Sequence, residues 1–423
     1  MVTDYLGKSF DWKPYGDIVY KNLVEPKMEH FADENLQGPS SLTKLMTSLW
    51  SDEHLHFFLY YNDYQPVNVL LSILSNKNAK DTILVSILNF VLSLLENSND
   101  SEEFVNVMAI IISTCLDSLV LLLENSVNVE VNSKAVQILL TFVEREFITE
   151  NESRKILISS LTTALDKPSS QMSIKVKADV VKIIAAVVRD YDCSLSDILP
   201  LYKSVSKLYQ IYPERNIRIV VSMVFLSLAE RFEEFAKVAP IVDDLNAYSK
   251  KRIQEPDFER RLSAFSLVNR QEYPNLTLVE WMPIIYSALY FINDENDQSM
   301  RSSASYTLIR YVDCLNSKDA EETAAEYVEF LRLVVLDNVR LGLRKKNELV
   351  QNEYISVFSH IIESAKYFHD LDDLKVLLYN GNEEADFFKN VNHPQVHRRQ
   401  RAIKRLSEHG SELGGAKMLP MKP

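Results

Sequence analysis

From Ser72 onward the apolar residues recur at the three-and-four spacing that places them on one side of a helix. The clearest runs are ILVSILNFVLSLL (83–95), AVQILLTFV (135–143), ADVVKIIAAVV (178–188), IRIVVSMVFLSLAERF (217–232) and ASYTLIRYV (304–312). Each predicts a helix of roughly 10 to 20 residues with a wide apolar face. The polar stretches NSNDSEE (97–103), EREFITENES (144–153) and NDENDQ (293–298) read as the turns between them. Almost no segment alternates with period two, so strands are not expected. Prolines are absent from Val67 to Lys167. Pro168, Pro200, Pro213, Pro240, Pro256 and Pro274 then read as helix breaks, and Pro283 suits the first turn of a helix.

The helices carry an internal period. Three segments share the order acid, three residues, arginine, two residues, small apolar, three residues, apolar: Glu214, Arg218, Val221, Phe225; Asp257, Arg261, Ala264, Val268; and Asp297, Arg301, Ala304, Leu308. The small residues of these segments lie 43 and 40 residues apart, and a step back of 43 from Val221 reaches Ala178, with Lys175 at the arginine position, and another reaches Ala135. Gln171 and Asn128 stand there in place of the acid. A period of ~40 to 47 residues carrying two helices is the signature of HEAT-type repeats. The expected fold is therefore all-α: a HEAT-type α-solenoid, a superhelix of stacked antiparallel helix pairs, with six to seven repeats between about Pro66 and Asn380. Residues 1–65 are an N-terminal helical segment of the array, 66–380 the HEAT-like repeats, and 381–423 an acidic-aromatic stretch followed by a basic C-terminal helix and flexible tail. Arg218, Arg261 and Arg301, with Asp257 and Asp297, read as a structural ladder of ion pairs from repeat to repeat. The competing reading is an anion-binding row on the concave face, and burial separates the two.

Composition narrows the function. With 423 residues the chain is too long for one compact core, and 46 basic against 59 acidic residues give a net charge of -13. Only eight glycines occur, none between Gly38 and Gly342, which leaves no place for a glycine-rich phosphate loop or dinucleotide fingerprint. Cys115, Cys193 and Cys314 are far apart and read as small buried hydrophobes in a reducing compartment. The N-terminus lacks the basic-then-apolar pattern of a signal peptide. The longest apolar stretches, Ile83–Leu95 and Met108–Leu123, are shorter than the ~20 residues that span a bilayer. The chain thus reads as cytosolic or nuclear, without membrane contact.

Candidate chemistry is sparse. His54 and His56 sit among aromatics and suit helix packing, while His393 and His397 (HPQVH) lack the glutamate of a zinc-protease motif and enclose Pro394. The carboxylates of Asp372 with Asp373, Asp294 to Asp297, and Glu383 with Glu384 read as turn or helix N-terminal charge. No nucleophile elbow is present. No catalytic residue, metal site, cofactor or small-molecule substrate is expected, and an uncharacterised helical enzyme is disfavoured. Charge distribution says more. From Lys389 to the end, Lys389, Arg398, Arg399, Arg401, Lys404, Arg405, Lys417 and Lys422 face only Glu408 and Glu412, so the acidic excess lies in the body. A smaller cluster, Arg340, Arg344, Lys345 and Lys346, reads as helix C-terminal charge. In EEADFFKNVNHPQVHRRQRAIKRL (383–406), Arg398, Arg399, Arg401, Lys404 and Arg405 are candidate contacts to an RNA backbone or an acidic protein surface.

That segment resembles the hallmark segment of the down-regulated-in-metastasis family, called U-three-protein-twenty in fungi. FDWKPYGDIVYKNLVEPKMEHFADENLQGPSSL (10–42) resembles a block that precedes it in the family. The resemblance implies a nucleolar or nuclear, non-enzymatic HEAT-repeat scaffold of the small-subunit processome, with pre-ribosomal RNA and processome proteins as partners in 18S rRNA maturation. Members are several times longer, so residues 1–423 would match part of such a protein. The basic positions carried over are Arg398, Arg399, Arg401, Lys404 and Arg405. The alternative is a nuclear transport receptor-like HEAT adaptor binding protein cargo, which would need regularly placed tryptophans, whereas Trp12, Trp50 and Trp281 are not periodic.

Overall fold

The computed structural model describes residues 10–33, 41–51, 53–59, 61–96, 102–252, 255–379, 382–410 and 413. Part of the 97–103 turn, and the tail expected after residue 410 apart from Leu413, lie outside them. The described residues form helices throughout, with a single isolated bridge, Tyr248 to Pro256, and no strand. Two compact units divide the chain, residues 1–204 and 205–423. The division falls within the stretch 66–380 expected to carry the repeats.

In the first unit a short helical segment over 13–33 precedes α1 (Ser41–Trp50), α2 (Tyr61–Ser72), α3 (Asp81–Glu96), α4 (Glu102–Asn125), α5 (Val129–Glu144), α6 (Asn151–Asp166) and α7 (Ile174–Asp190). The odd-numbered helices α1, α3, α5 and α7 pack one on the next, as do α2, α4 and α6, giving two layers of stacked helix pairs. The cause is in the sequence: α3 turns Ile83, Ile87, Leu88, Phe90, Val91, Leu94 and Leu95 all inward, each such side chain contributing ~1.5–3 kcal/mol on burial. The helix α4 is longer than the apolar run that predicted it. By length and composition alone its stretch Val105–Asn125 is able to cross a membrane. Here it packs against α2, α5 and α6 with Ile111, Cys115, Leu119 and Leu123 fully covered.

The helix α8 (Leu195–Ile211) leads to α9 (Arg215–Ala229), and the second unit continues with α10 (Val238–Leu245), α11 (Phe258–Leu267), α12 (Leu278–Phe291) and α13 (Gln298–Asn316). Then come α14 (Glu321–Phe330), a π-helical stretch Leu331–Leu336, α15 (Asp337–Gly342) and α16 (Glu348–Ser364). Helices α11, α13 and α16 form one layer, and α10 packs on α12 in the other. Three prolines depart from expectation, Pro200 and Pro240 as breaks and Pro283 as a first-turn residue. Pro240 is the third residue of α10, where its missing N–H is an orphan in any case. Pro200 and Pro283 sit six residues into α8 and α12, each forgoing one intrahelical bond. The helices persist because Ile198, Leu201 and Tyr202, and in α12 nearly every residue around Pro283, are buried.

The ladder expected to be ionic is built from backbone carbonyls. Arg218, Arg261 and Arg301 are 1%, 5% and 4% exposed, and each lies four residues after the N-cap position of its helix. Side chains on a helix lean toward its N-terminus, so a long donor at this position folds over the first turn. There it reaches the carbonyls that end the preceding helix and its turn, which have no intrahelical partner. Arg218 donates to the oxygens of Tyr209 (2.8 Å) and Tyr212 (2.6 Å), Arg261 to Ala247 (2.9 Å) and Arg301 to Asp294 (2.8 Å). Asp257 and Asp297 serve as N-caps, accepting from the amides of Arg260 and Met300. Among the described residues only Arg301 also nears an acid, with Glu353 at 4.0 Å.

The same position is filled by a donor in four other helices. Asn132 donates to Ser126 and Gln171 oxygens, Lys177 to Leu165 and Lys167, Gln351 to Leu343, and Arg399 to His393 and Pro394. The buried lysine of its repeat is thus Lys177, and Lys175 is exposed. At Arg218 the contact beyond its own turn runs through neutral groups: it also donates to Asn246 Oδ1 (2.7 Å), whose amide donates to Ser287 Oγ (3.2 Å), and it lies over the Tyr290 ring at 4.0 Å. Burial lowers the Arg218 pKa to about 10, so the guanidinium stays charged at neutral pH.

This packing makes two substitutions informative about stability. Arg218→Ala strands three buried acceptors at ~1–3 kcal/mol each, an expected loss of at least about 3 kcal/mol in denaturant unfolding. Unchanged stability with lost anion binding would make the row a binding surface. Gly342 ends α15 where an added Cβ would lie 2.2 Å from the Tyr354 ring. Gly342→Ala should therefore lower the denaturation midpoint, because overpacking of ~1–3 kcal/mol outweighs a helix-propensity gain of at most ~1 kcal/mol.

Candidate partner-contact surface

The C-terminal segment is anchored before its basic residues begin. Asp386 caps α17 (Phe387–Asn390) through the amide of Lys389 (3.0 Å), and its other oxygen accepts from Tyr379 N (3.2 Å). Phe387 and Phe388 are buried, with Phe388 edge-on to Phe358 of α16 at 5.8 Å. Asn390, fully covered, donates to the carbonyls of Glu383 and Asp386. A turn over 391–395, tied to α16 by Asn392 on Gln351 (2.7 Å), leads into α18 (Val396–Glu408).

The five basic candidates divide by task. Arg399 is committed to the His393 and Pro394 carbonyls at 2.8 and 2.9 Å. Arg405 donates to Val376 O (2.7 Å) and Leu378 O (2.9 Å) and stacks over Tyr379, so it pins α18 to the preceding loop. Arg398 and Arg401 converge on the two oxygens of Glu384, at 3.3 and 2.7 Å. Lys404, 77% exposed, nears Glu408 at 3.6 Å. Hydrogen bonding from Arg401, with the charges of Arg398 and Arg401, holds the Glu384 carboxyl below its ordinary pKa. Glu383 is held down in the same way by Lys389, 3.0 Å away. The acidic start of the segment and its basic helix are therefore joined to each other, and the outward face of α18 presents Arg401 and Lys404 beside exposed Val396 and Ile403.

Other sequence candidates fall into structural places. His56 stacks on Trp50 at 3.9 Å and meets its carbonyl at 2.6 Å, while the His54 side chain lies outside the described residues. His393 Nδ1 accepts from Gln395 N (3.1 Å), and loss of hydration together with Arg398 lowers its pKa. Asp294 accepts from the amides of Asn296 and Asp297 within its own turn, and Asp372 pairs with His369 and Lys375. Trp50 and Trp281 are core residues, 5% and 0% exposed, which removes them from any peptide-binding row. Asn132, Lys177 and Gln351 were missed as ladder members; the signal that finds them is a polar side chain four residues after a capping Asn128, Ser173 or Asn347.

Stacked helix pairs, tied at their turns and ending in a self-paired basic helix, define an α-helical repeat protein. The family model for the N-terminal part of U3 small nucleolar RNA-associated protein 20 matches residues 1–347. The protein of that name from Saccharomyces cerevisiae is 36% identical over 415 residues, covering 97% of this chain, and the one from Schizosaccharomyces pombe is 27% identical over 419 residues, covering 94%. The chain belongs to the U3 small nucleolar RNA-associated protein 20 family. It spans 16% of the length of each of these relatives.

The division of labour within α18 is testable by stability alone. Arg399→Ala removes two charge-assisted bonds and should cost about 1–2 kcal/mol, allowing for partial exposure. Arg401→Ala breaks a water-screened pair and should leave chemical unfolding nearly unchanged. Equal effects would show that both arginines hold the fold to the same degree.

Proposed function

We propose that this chain is part of a non-enzymatic scaffold in small ribosomal subunit biogenesis, acting in the nucleolus on pre-18S rRNA processing and assembly of the small-subunit processome. The observation that carries this reading is the family match over residues 1–347 together with relatives aligned over nearly the whole chain. The geometry supports it in kind. Buried polar groups are spent on turn carbonyls, and the helices offer long rows of exposed side chains suited to binding large partners. Pre-ribosomal RNA and processome proteins are the proposed partners, with Arg398, Arg401 and Lys404 as the contacts on α18. Arg399 and Arg405 belong to the fold first, because their donors already meet carbonyls. A transport-adaptor role gains nothing from Trp50 and Trp281, which lie in the core.

The test is co-sedimentation with pre-ribosomal particles. Replacing Arg398, Arg401 and Lys404 together by glutamine should leave helix content and melting nearly unchanged and reduce the bound fraction. If the cations neutralise RNA phosphates, the salt slope should fall by ~0.7 to 0.9 for each phosphate that the variant leaves unneutralised. Undiminished co-sedimentation would return these cations to a solvated face.

A further inference from the structure

Three consecutive cations that meet no carboxylate among the described residues of the second unit lie away from α18. They are Arg344, Lys345 and Lys346, consecutive and exposed at the turn between α15 and α16. Among the described residues none of the three meets a carboxylate or an aromatic face. In the other run of this kind, Lys250 to Arg252, Arg252 is paired with Glu255 at 2.9 Å. The turn is rigid. Leu343, 2% exposed, anchors it from below, and its carbonyl accepts from Gln351 at 2.7 Å. The amides of Arg344 and Lys345 bond back to Leu341 O (3.2 Å) and Gly342 O (3.0 Å), and Asn347 caps α16. On either side stand Leu341 and Leu349, 61% and 56% exposed.

We propose that this turn, with Leu341 and Leu349, is a docking surface for an acidic amphipathic segment of a partner protein. The inference goes beyond the function proposed above and stands without it. Two features select the occupant. The cations call for negative charge, which an RNA backbone or an acidic peptide would supply. The leucines call for apolar cover, which a phosphate backbone lacks and an amphipathic peptide brings with its acids. The net charge of -13 also opposes a polyanion over distance more than it opposes a short peptide with a few carboxylates. A turn already fixed in place avoids the ordering cost of binding.

The probe is a short fluorescein-labelled helical peptide with a leucine stripe flanked by glutamates, followed by anisotropy on the whole chain. It should bind in a salt-dependent way. Arg344→Ser with Lys345→Ser and Lys346→Ser, and separately Leu341→Ser with Leu349→Ser, should each weaken binding about ten-fold while melting is retained. A single-stranded polyuridine oligonucleotide should not displace it. Failure of the peptide to bind, or binding indifferent to the leucine changes, overturns the proposal. Displacement by the oligonucleotide, with RNA binding abolished only in the cation variant, would make the turn a phosphate-binding site and overturn it as well.

Discussion

Every helix pair leaves carbonyls at the end of its first helix that no helical amide can reach, and in a stacked array many of these are walled off from water. The chain answers with one device, a donor four residues after the cap of the second helix. Its Cβ already leans toward the turn, so the donor needs reach and little else. Asparagine suffices in α5, lysine serves in α7, and arginine serves in α9, α11, α13 and α18. The cationic members gain further from sitting at the negative end of the preceding helix dipole. With the turns closed in this way, the apolar faces of successive helices are held in register, and the layered core follows.

The same constraint explains why buried charge here is weak evidence of a ligand. Removing a guanidinium from water is costly unless its donors are met, and at Arg218 carbonyls, an asparagine and a tyrosine face meet them without an acid. At Lys177 burial lowers the pKa, with Asp166 opposing it, while two carbonyls accept hydrogen bonds from the ammonium. Cys115, pushed up to about 12 by burial, is likewise a packing residue and not a nucleophile at neutral pH.

The helices and their period were legible because both are patterns of apolar side chains, and burial of apolar faces is what forms the array. Arg218, Arg261 and Arg301 were legible as buried for the same reason: each precedes a small residue of the repeat by three. Their partners were not, because a backbone carbonyl leaves no mark in a sequence, whereas Asp257 and Asp297 do and drew the reading toward ion pairs. Lys175 was placed at the arginine position by counting back a constant interval. The true interval varies with turn length, and Lys177 follows from its cap at Ser173. Pro200 misled as a break, and Pro283 as confined to a first turn, because local rules price one lost hydrogen bond but not the surrounding burial that outweighs it.

On α18 the row of five basic residues looked uniform because sequence shows charge and not commitment. Arg399 and Arg405 are held by carbonyls, Arg398 and Arg401 by Glu384. Among the described residues nothing comparable restrains Arg344, Lys345 and Lys346, whose turn is fixed from beneath by Leu343 and by Gly342 lying under Tyr354. A solenoid makes this separation natural. Its turns need one inward donor each, and whatever else a turn carries faces solvent and is free to vary without disturbing the core. Surplus charge at a well-closed turn, beyond what the carbonyls consume, is therefore the more informative sign of a partner than charge density along the chain.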